Sequence, residues 1–173
     1  MFDLPPPPTV PADTPIEIRQ QFEEKTPLTR ACLERVSSRY KVHPLVISLV
    51  AQVEGGWSGA RIKNTNGTFD LGKMQINTIH IPELSKYGIT EKMLQNNDCI
   101  SVGVAAWYIR KVTVDQTATG SEDYFRAIAR YHSKNEPHLT RYANKLMDTY
   151  RGMIDQYNRQ TSTPNGTTVA TNN

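Results

Sequence analysis

Apolar side chains recur every three or four residues along most of this 173-residue chain, a spacing that predicts helices with one buried face. The most apolar stretch covers residues 44–53, where nearly every side chain is apolar, and it predicts a helix that passes through a core. A second largely buried helix is predicted from Asp98 to Val112. Further helices are predicted to begin at Thr14, Thr26, Thr90, Ser121 and Pro137. The pattern therefore predicts one compact, mostly α domain.

A polar segment interrupts the helical pattern over residues 55–80. Two glycines end the apolar helix, and residues 64–77 are rich in glycine and in side-chain amides. The dipeptide Asn66–Gly67 is typical of a tight turn, so this is the one place where a short β-hairpin is predicted. We expect a small irregular or hairpin insert directly after Glu54.

The two ends of the chain have compositions that do not build a core. Residues 1–13 are proline-rich and predict an extended, mobile leader. Residues 158–173 are rich in Thr and Asn and predict a disordered tail. The predicted domain therefore covers residues 14–157.

Composition and charge argue against two classes of partner. The net charge is only +3, which is too weak to argue for a nucleic-acid partner without a clustered basic patch, so none is predicted. No stretch approaches the roughly 18 consecutive apolar residues of a membrane-spanning helix. The mild positive charge suits an anionic polymer such as a bacterial wall.

The chain has two cysteines, Cys32 and Cys99, and both lie in predicted helices. Their number and spacing leave two alternatives open: a pair of buried thiols, or a disulfide that would need an oxidising compartment. A disulfide would close a long loop and restrict the unfolded chain.

Glu54 is the residue whose position most strongly suggests chemistry. It ends the apolar helix, and a carboxyl group in apolar surroundings has a raised pKa and can act as a general acid near neutral pH. The alternative is a solvated glutamate at a helix end. The polar segment then supplies amides that suit the hydroxyl and acetamido groups of a sugar: Asn64, Asn66, Gln75 and Asn77. Together these residues predict glycosidic bond cleavage.

A longer series of motifs resembles a known family. Glu54, followed by Asn64-x-Asn66-Gly67-x-x-Asp70-x-Gly72-x-Met74-Gln75-Ile76-Asn77, resembles the soluble lytic transglycosylase (SLT) domain. The likeness continues through Ile81-Pro82-Glu83-Leu84, Tyr87-Gly88-Ile89, Asn96-Asn97-Asp98-Cys99-Ile100, Ala129-Arg130-Tyr131-His132-Ser133 and Tyr142-Ala143. It covers about residues 29–147. The chain most resembles the small members attached to type III and type IV secretion or conjugation machines.

The resemblance implies a lysozyme-like fold and a defined reaction. Glu54 would be the catalytic acid and base that cleaves the bond between N-acetylmuramic acid and N-acetylglucosamine in peptidoglycan, with formation of a 1,6-anhydro ring. It also implies a Cys32–Cys99 disulfide and a periplasmic or secreted monomer that needs no metal or cofactor. The residues expected to bind substrate are Asn66, Gly72, Met74, Gln75, Asn77, Tyr131 and His132.

Two alternative functions remain open from the sequence. Asp70 could serve as a second carboxylate, which would favour a lysozyme-like hydrolase. A non-catalytic peptidoglycan-binding module of an assembly is the other alternative. The chain also departs from the family pattern, because Gly55 replaces a usual serine, Lys73 a usual apolar residue and His132 a frequent asparagine.

Overall fold

The computed structural model describes residues 4–162, which form eight α-helices, two 3₁₀ segments and three short strands. The helices are α1 (Ile16–Phe22), α2 (Arg30–Tyr40), α3 (Pro44–Glu54), α4 (Ile81–Leu84), α5 (Glu91–Asn96), α6 (Asp98–Thr113), α7 (Ser121–Ala129) and α8 (His138–Thr161). The strands are β1 (Arg61–Lys63), β2 (Phe69–Leu71) and β3 (Ile76–Asn77). The predicted class, mostly α with a small hairpin insert, is confirmed.

Helix α3 lies at the centre of the domain and contacts α2, α6 and α8. Pro44 occupies its first turn, where a missing N–H costs no helical hydrogen bond. Ile47 and Val50 are fully buried in the core. The helix ends at Gly55, whose φ of 65° allows its N–H to bond the Ala51 carbonyl and close the last turn. The core thus fixes the position at which Glu54 emerges.

The insert after α3 is a three-stranded antiparallel sheet in the order β1-β2-β3. Ile62 pairs with Asp70 and Asp70 pairs with Asn77, so Asp70 lies in the middle strand. The turn between β1 and β2 covers residues 64–68, and the Asn64 N–H donates to the Thr68 carbonyl at 2.8 Å. The predicted hairpin is present, and β3 extends it.

Two predicted helix starts differ from the structure. The second helix begins at Arg30, where the Thr29 side chain accepts from the Cys32 N–H at 3.1 Å. Thr26 cannot open that helix because its backbone N–H and carbonyl are bonded to Asn96 and Asp98. At α1 the N-cap residue is Pro15 and no side chain caps the first turn, so the cap predicted at Thr14 does not form.

The described part of the predicted proline-rich leader, residues 4–13, lies against the helical domain. Val10 is buried and its N–H donates to the Tyr87 carbonyl at 2.8 Å. The Tyr40 hydroxyl donates to the Pro6 carbonyl at 3.0 Å. A proline-rich segment has little conformational entropy to lose when it is bound, which favours this packing. Residues 1–3 of the predicted leader lie outside the described residues.

The last helix is longer than predicted at its C-terminal end. The sequence places the end of the domain at Tyr157, whereas α8 continues to Thr161 through regular backbone hydrogen bonds. The added turn is exposed, so its polar side chains remain in contact with water. The rest of the predicted tail, residues 163–173, lies outside the described residues. Among the helices within residues 4–162, none combines the length and the apolar character of a membrane span.

The two cysteines form a disulfide that joins α2 to α6. The Cα atoms of Cys32 and Cys99 are 5.9 Å apart, and 67 positions separate the residues in the sequence. The bridge expected from the family resemblance is therefore confirmed, and the alternative of two free thiols is excluded.

We predict that replacing both cysteines by alanine lowers the free energy of unfolding by about 4 kcal/mol, because the unfolded chain loses a cross-link that closes a long loop. Urea denaturation followed by circular dichroism measures the difference. The wild-type protein in excess dithiothreitol is the matched control and should approach the stability of the double variant. An unchanged midpoint in both samples would contradict a stabilising role of the bridge.

Candidate active site

A cleft of about 570 Å³ opens between the three-stranded sheet on one side and helix α6, the turn after α7 and the start of α8 on the other. Most of the residues predicted from the sequence line it. They are Glu54, Asn66, Asp70, Gln75, Asn77, Tyr131 and His132. The structure therefore brings together side chains from three separate parts of the chain: the end of α3, the sheet and the turn after α7.

Glu54 lies half-buried at the end of α3, where Tyr142 of α8 holds one of its oxygens. The Tyr142 hydroxyl donates to Glu54 Oε1 at 2.5 Å. Oε2 has no hydrogen-bond partner among residues 4–162 and is left for a ligand. Burial raises the pKa of Glu54 to about 7; the Tyr142 hydrogen bond opposes this rise, Asp70 adds to it and Lys145 opposes it. A large fraction of the carboxyl group is therefore protonated at neutral pH.

Gly56 brings the end of α3 close to the turn that carries Gln75. A Cβ atom on Gly56 would lie 2.3 Å from the Gly72 carbonyl oxygen and 2.7 Å from that of Lys73. Gln75 adopts a positive φ of 51°, and its Nε2 donates to the Gly72 carbonyl at 2.8 Å. Its Oε1 has no protein partner in the described part of the chain, so it can accept a hydrogen bond from a ligand.

Asn77 holds Asp70 in place at the cleft. Its Nδ2 donates to Asp70 Oδ1 at 2.8 Å and to Thr68 Oγ1 at 2.9 Å. Its Oδ1 accepts from the Ile79 N–H at 3.0 Å. Because both amide donor sites are used by the protein, Asn77 contributes mainly by fixing the direction of the Asp70 carboxylate.

Asn66 lies at the exposed tip of the β1–β2 turn. Its Oδ1 accepts from the Thr68 N–H at 3.1 Å and from Thr68 Oγ1 at 2.7 Å. These bonds stabilise the turn and leave the Asn66 Nδ2 group available to a ligand.

Aromatic rings form another wall of the cleft. The Tyr131 hydroxyl donates to the Met74 carbonyl at 2.8 Å. Burial raises the pKa of Tyr131 well above its usual value, so the hydroxyl stays protonated and keeps donating. Tyr108 lies against Tyr131 at a centroid distance of 5.8 Å and against His80 at 4.8 Å. This wall offers flat apolar surfaces of the kind that pack on sugar rings.

Gly72 and Met74 lie outside the cleft lining, although the sequence places both among the substrate-binding residues. The Met74 side chain is fully buried in the core, and only its carbonyl reaches the site, through Tyr131. At Gly72 a Cβ atom would lie 2.0 Å from the Leu94 carbonyl oxygen, so glycine is required there for packing. Both residues shape the turn that presents Gln75.

Two residues at the site, Tyr142 and His138, are not among those predicted from the sequence. Tyr142 enters the sequence interpretation only as part of the Tyr142-Ala143 motif, and its contact with Glu54 spans 88 positions. His138 lines the cleft one turn earlier on the same helix. The spacing of these residues on α8 was visible, but nothing in the sequence identified which side of the core this face would meet. Trp57 is 58% exposed and does not line the cleft.

No cluster of three or more His, Cys, Asp or Glu side chains in the described part of the chain could hold a metal ion. The side chains that line the cleft are a largely protonated carboxyl group, a second carboxylate, amides and aromatic rings.

Comparison with known proteins identifies relatives of this architecture. The profile of the Transglycosylase SLT domain family matches residues 31–158. Invasion protein IagB of Salmonella typhimurium is 31% identical over 125 residues, which cover 69% of this chain and 75% of that protein. Protein IpgF of Shigella flexneri is 34% identical over 76 residues, or 43% and 50% of the two chains. X polypeptide of Escherichia coli is 24% identical over 128 residues, or 70% and 73%.

We predict that Gly56→Ala lowers the free energy of unfolding by about 2 kcal/mol, because the added methyl group would collide with two backbone carbonyls. Gly152→Ala is the matched control: a Cβ there meets no atom within 4 Å, and alanine in the middle of α8 should stabilise by roughly 0.5–1 kcal/mol. Urea denaturation measures both. Equal stability of the two variants would contradict the close contact at Gly56.

Proposed function

Because the chain belongs to the Transglycosylase SLT domain family, we propose that it is a peptidoglycan lytic transglycosylase with Glu54 as its single acid and base. One observation carries the assignment of Glu54. Its carboxyl group is buried enough to be protonated near neutral pH, Tyr142 occupies Oε1, and Oε2 is left for the substrate. A proton donor with one oxygen held and one available is what protonation of a glycosidic oxygen requires.

The proposed reaction needs no second enzyme carboxylate and no water. Glu54 Oε2 gives its proton to the oxygen between N-acetylmuramic acid and N-acetylglucosamine, and the bond from C1 to that oxygen breaks. The substrate's own acetamido group stabilises the positive charge at C1, as in substrate-assisted glycosidases. The Glu54 carboxylate then takes the proton of the muramyl C6 hydroxyl, and the oxygen of that hydroxyl forms a bond to C1. The products are a 1,6-anhydro-muramyl end and a free sugar hydroxyl, and Glu54 is protonated again.

The cleft walls support a glycan-strand substrate. Gln75 Oε1 and Asn66 Nδ2 supply an acceptor and a donor on the sheet side. Tyr108 and Tyr131 supply apolar ring faces on the helical side. Sugar rings combine polar edges with apolar faces, so this pairing of walls favours a saccharide over a purely apolar ligand.

A lysozyme-like hydrolase is the second candidate, and Asp70 is the observation that favours it. Asp70 lines the same cleft, and its charge contributes to the raised pKa of Glu54. A carboxylate in that position could stabilise a positively charged sugar while water attacks C1. The two reactions differ in their products, because hydrolysis leaves reducing ends and transglycosylation leaves anhydro ends.

The proposed setting is the periplasm or the cell exterior, where the enzyme opens the wall locally for a secretion or conjugation apparatus. The Cys32–Cys99 disulfide favours an oxidising compartment. One relative carries the name invasion protein, which supports a place beside a machine that crosses the wall.

We predict that wild-type protein releases 1,6-anhydro-muropeptides from purified sacculi and that Glu54→Gln lowers the rate at least about 1000-fold, because the amide cannot donate or accept the transferred proton. Mass spectrometry of the soluble products measures both rate and chemistry. Asp70→Asn, with an amide of the same shape, is the matched variant and should retain anhydro products.

Three results would contradict parts of this proposal. Reducing-end products that disappear in Asp70→Asn would establish the hydrolase. Activity in Glu54→Gln equal to that of wild type would exclude Glu54 as the acid. Binding to sacculi without release of products by the wild-type protein would favour the non-catalytic peptidoglycan-binding module.

We predict that Tyr142→Phe moves the basic limb of the kcat/KM profile upward by about one pH unit. In the wild-type protein the Tyr142 hydrogen bond stabilises the ionised Glu54 carboxylate and lowers its pKa. Without that bond the pKa of Glu54 rises, so Glu54 keeps its proton to higher pH. Initial rates on glycan strands between about pH 5 and 9 measure the limb, which for the wild-type protein should lie near the Glu54 pKa of about 7. Tyr150→Phe, about two turns later on α8, is the control and should leave the limb in place. A downward shift in Tyr142→Phe would contradict the role given to its hydroxyl.

A further inference from the structure

His132 covers the ring of the tyrosine that holds Glu54. The His132 and Tyr142 rings are stacked with a centroid distance of 4.7 Å and an interplanar angle of 4°. Tyr142 is only 5% exposed, whereas His132 is exposed at the cleft. The imidazole therefore lies between the tyrosine ring and the open side of the site.

We propose that His132 is a positioning residue, whose stacked ring holds Tyr142 in the orientation that keeps its hydroxyl on Glu54 Oε1. The proposal rests on the proposed function of Glu54. It adds a role for His132, a side chain that forms no hydrogen bond with Glu54. The effect on the acid is transmitted through one ring and one hydroxyl group.

The backbone around His132 gives the imidazole a fixed base. The Tyr131 N–H donates to the Ile128 carbonyl at 2.9 Å, and the His132 N–H donates to the Ala129 carbonyl at 3.0 Å. These bonds continue the end of α7 into a tight turn and fix the backbone of His132 relative to α7, which itself packs against α8. Tyr142 is therefore held at two places: the His132 ring packs on its ring face, and its hydroxyl bonds Glu54.

Burial and the nearby charges lower the pKa of His132, so its ring is mostly neutral at neutral pH. Burial lowers the pKa of His132, the nearby His138 and Lys145 lower it further, and Asp70 acts in the opposite direction. A neutral imidazole adds no positive charge beside Glu54, whose protonated form a cation would disfavour. The stack can therefore order Tyr142 without removing the proton that the reaction needs.

Two substitutions separate stacking from imidazole chemistry. His132→Ala removes the ring, whereas His132→Phe keeps a flat ring that neither titrates nor forms hydrogen bonds. We expect His132→Ala to lower kcat about threefold to tenfold with little change in KM, and His132→Phe to recover most of that loss in kcat. In the double variant with Tyr142→Phe, removal of His132 should cost nothing further, because its effect passes through the lost hydroxyl.

A titration that does not depend on turnover provides the second readout. Carbon-13 NMR of the Glu54 side-chain carboxyl measures the pH midpoint of its titration. In His132→Ala this midpoint should move upward, as in Tyr142→Phe. The shift should be smaller, because the Tyr142 hydrogen bond is loosened and not removed. His132→Phe should keep the wild-type midpoint. If wild-type protein releases no muropeptides, the proposed function fails, and this titration still decides the role of His132.

Tyr124→Ala is the matched control. Tyr124 is another exposed ring that contacts a buried one, Phe125, at a centroid distance of 5.9 Å, and it lies outside the cleft. Its removal should leave kcat and the Glu54 midpoint unchanged. Three outcomes would overturn the proposal: a loss in His132→Phe equal to that in His132→Ala, additive losses in the double variant, or a downward shift of the midpoint in His132→Ala.

Discussion

The hydrogen bond from Tyr142 to Glu54 is the contact on which the cleft depends. It joins the end of the central helix to the last helix, across 88 positions of sequence, and it lies where burial raises the pKa of the carboxyl group. A carboxyl group left without a partner there would be free to rotate, and one in open water would ionise well below neutral pH. The packing of α3 against α8 supplies both the burial and the partner.

The opposite side of the cleft depends on close backbone packing. Gly56 has no side chain, so the chain after Glu54 can touch the carbonyls of Gly72 and Lys73. Gly72 in turn touches the Leu94 carbonyl, which connects the turn to α5. The amides and Asp70 are thus held by a short sheet that could not be stable alone. Its position relative to Glu54 is set by contacts in which a single added methyl group would not fit.

Several features of the molecule follow from local pattern. The apolar run that ends at Glu54 forms the buried helix α3, and Asn66–Gly67 forms the hairpin turn. Other positions depend on distant partners: Thr26 bonds to the segment before α6 in place of opening a helix, and Val10 of the leader is buried beside Tyr87. Local propensity is a weak guide wherever a backbone group has a tertiary hydrogen-bond partner.

The sequence by itself determined the helical class, the hairpin, the candidate acid and, through family resemblance, the pairing of Cys32 with Cys99. These depend on periodicity, on turn residues and on motifs, all of which are local in the chain. Only the tertiary structure decided that Tyr142 is the partner of Glu54, that Asn77 holds Asp70, and that Met74 is buried away from the cleft. The reason is physical: hydrogen bonds and ring contacts form between faces of different elements, and the packing of the core fixes which faces meet.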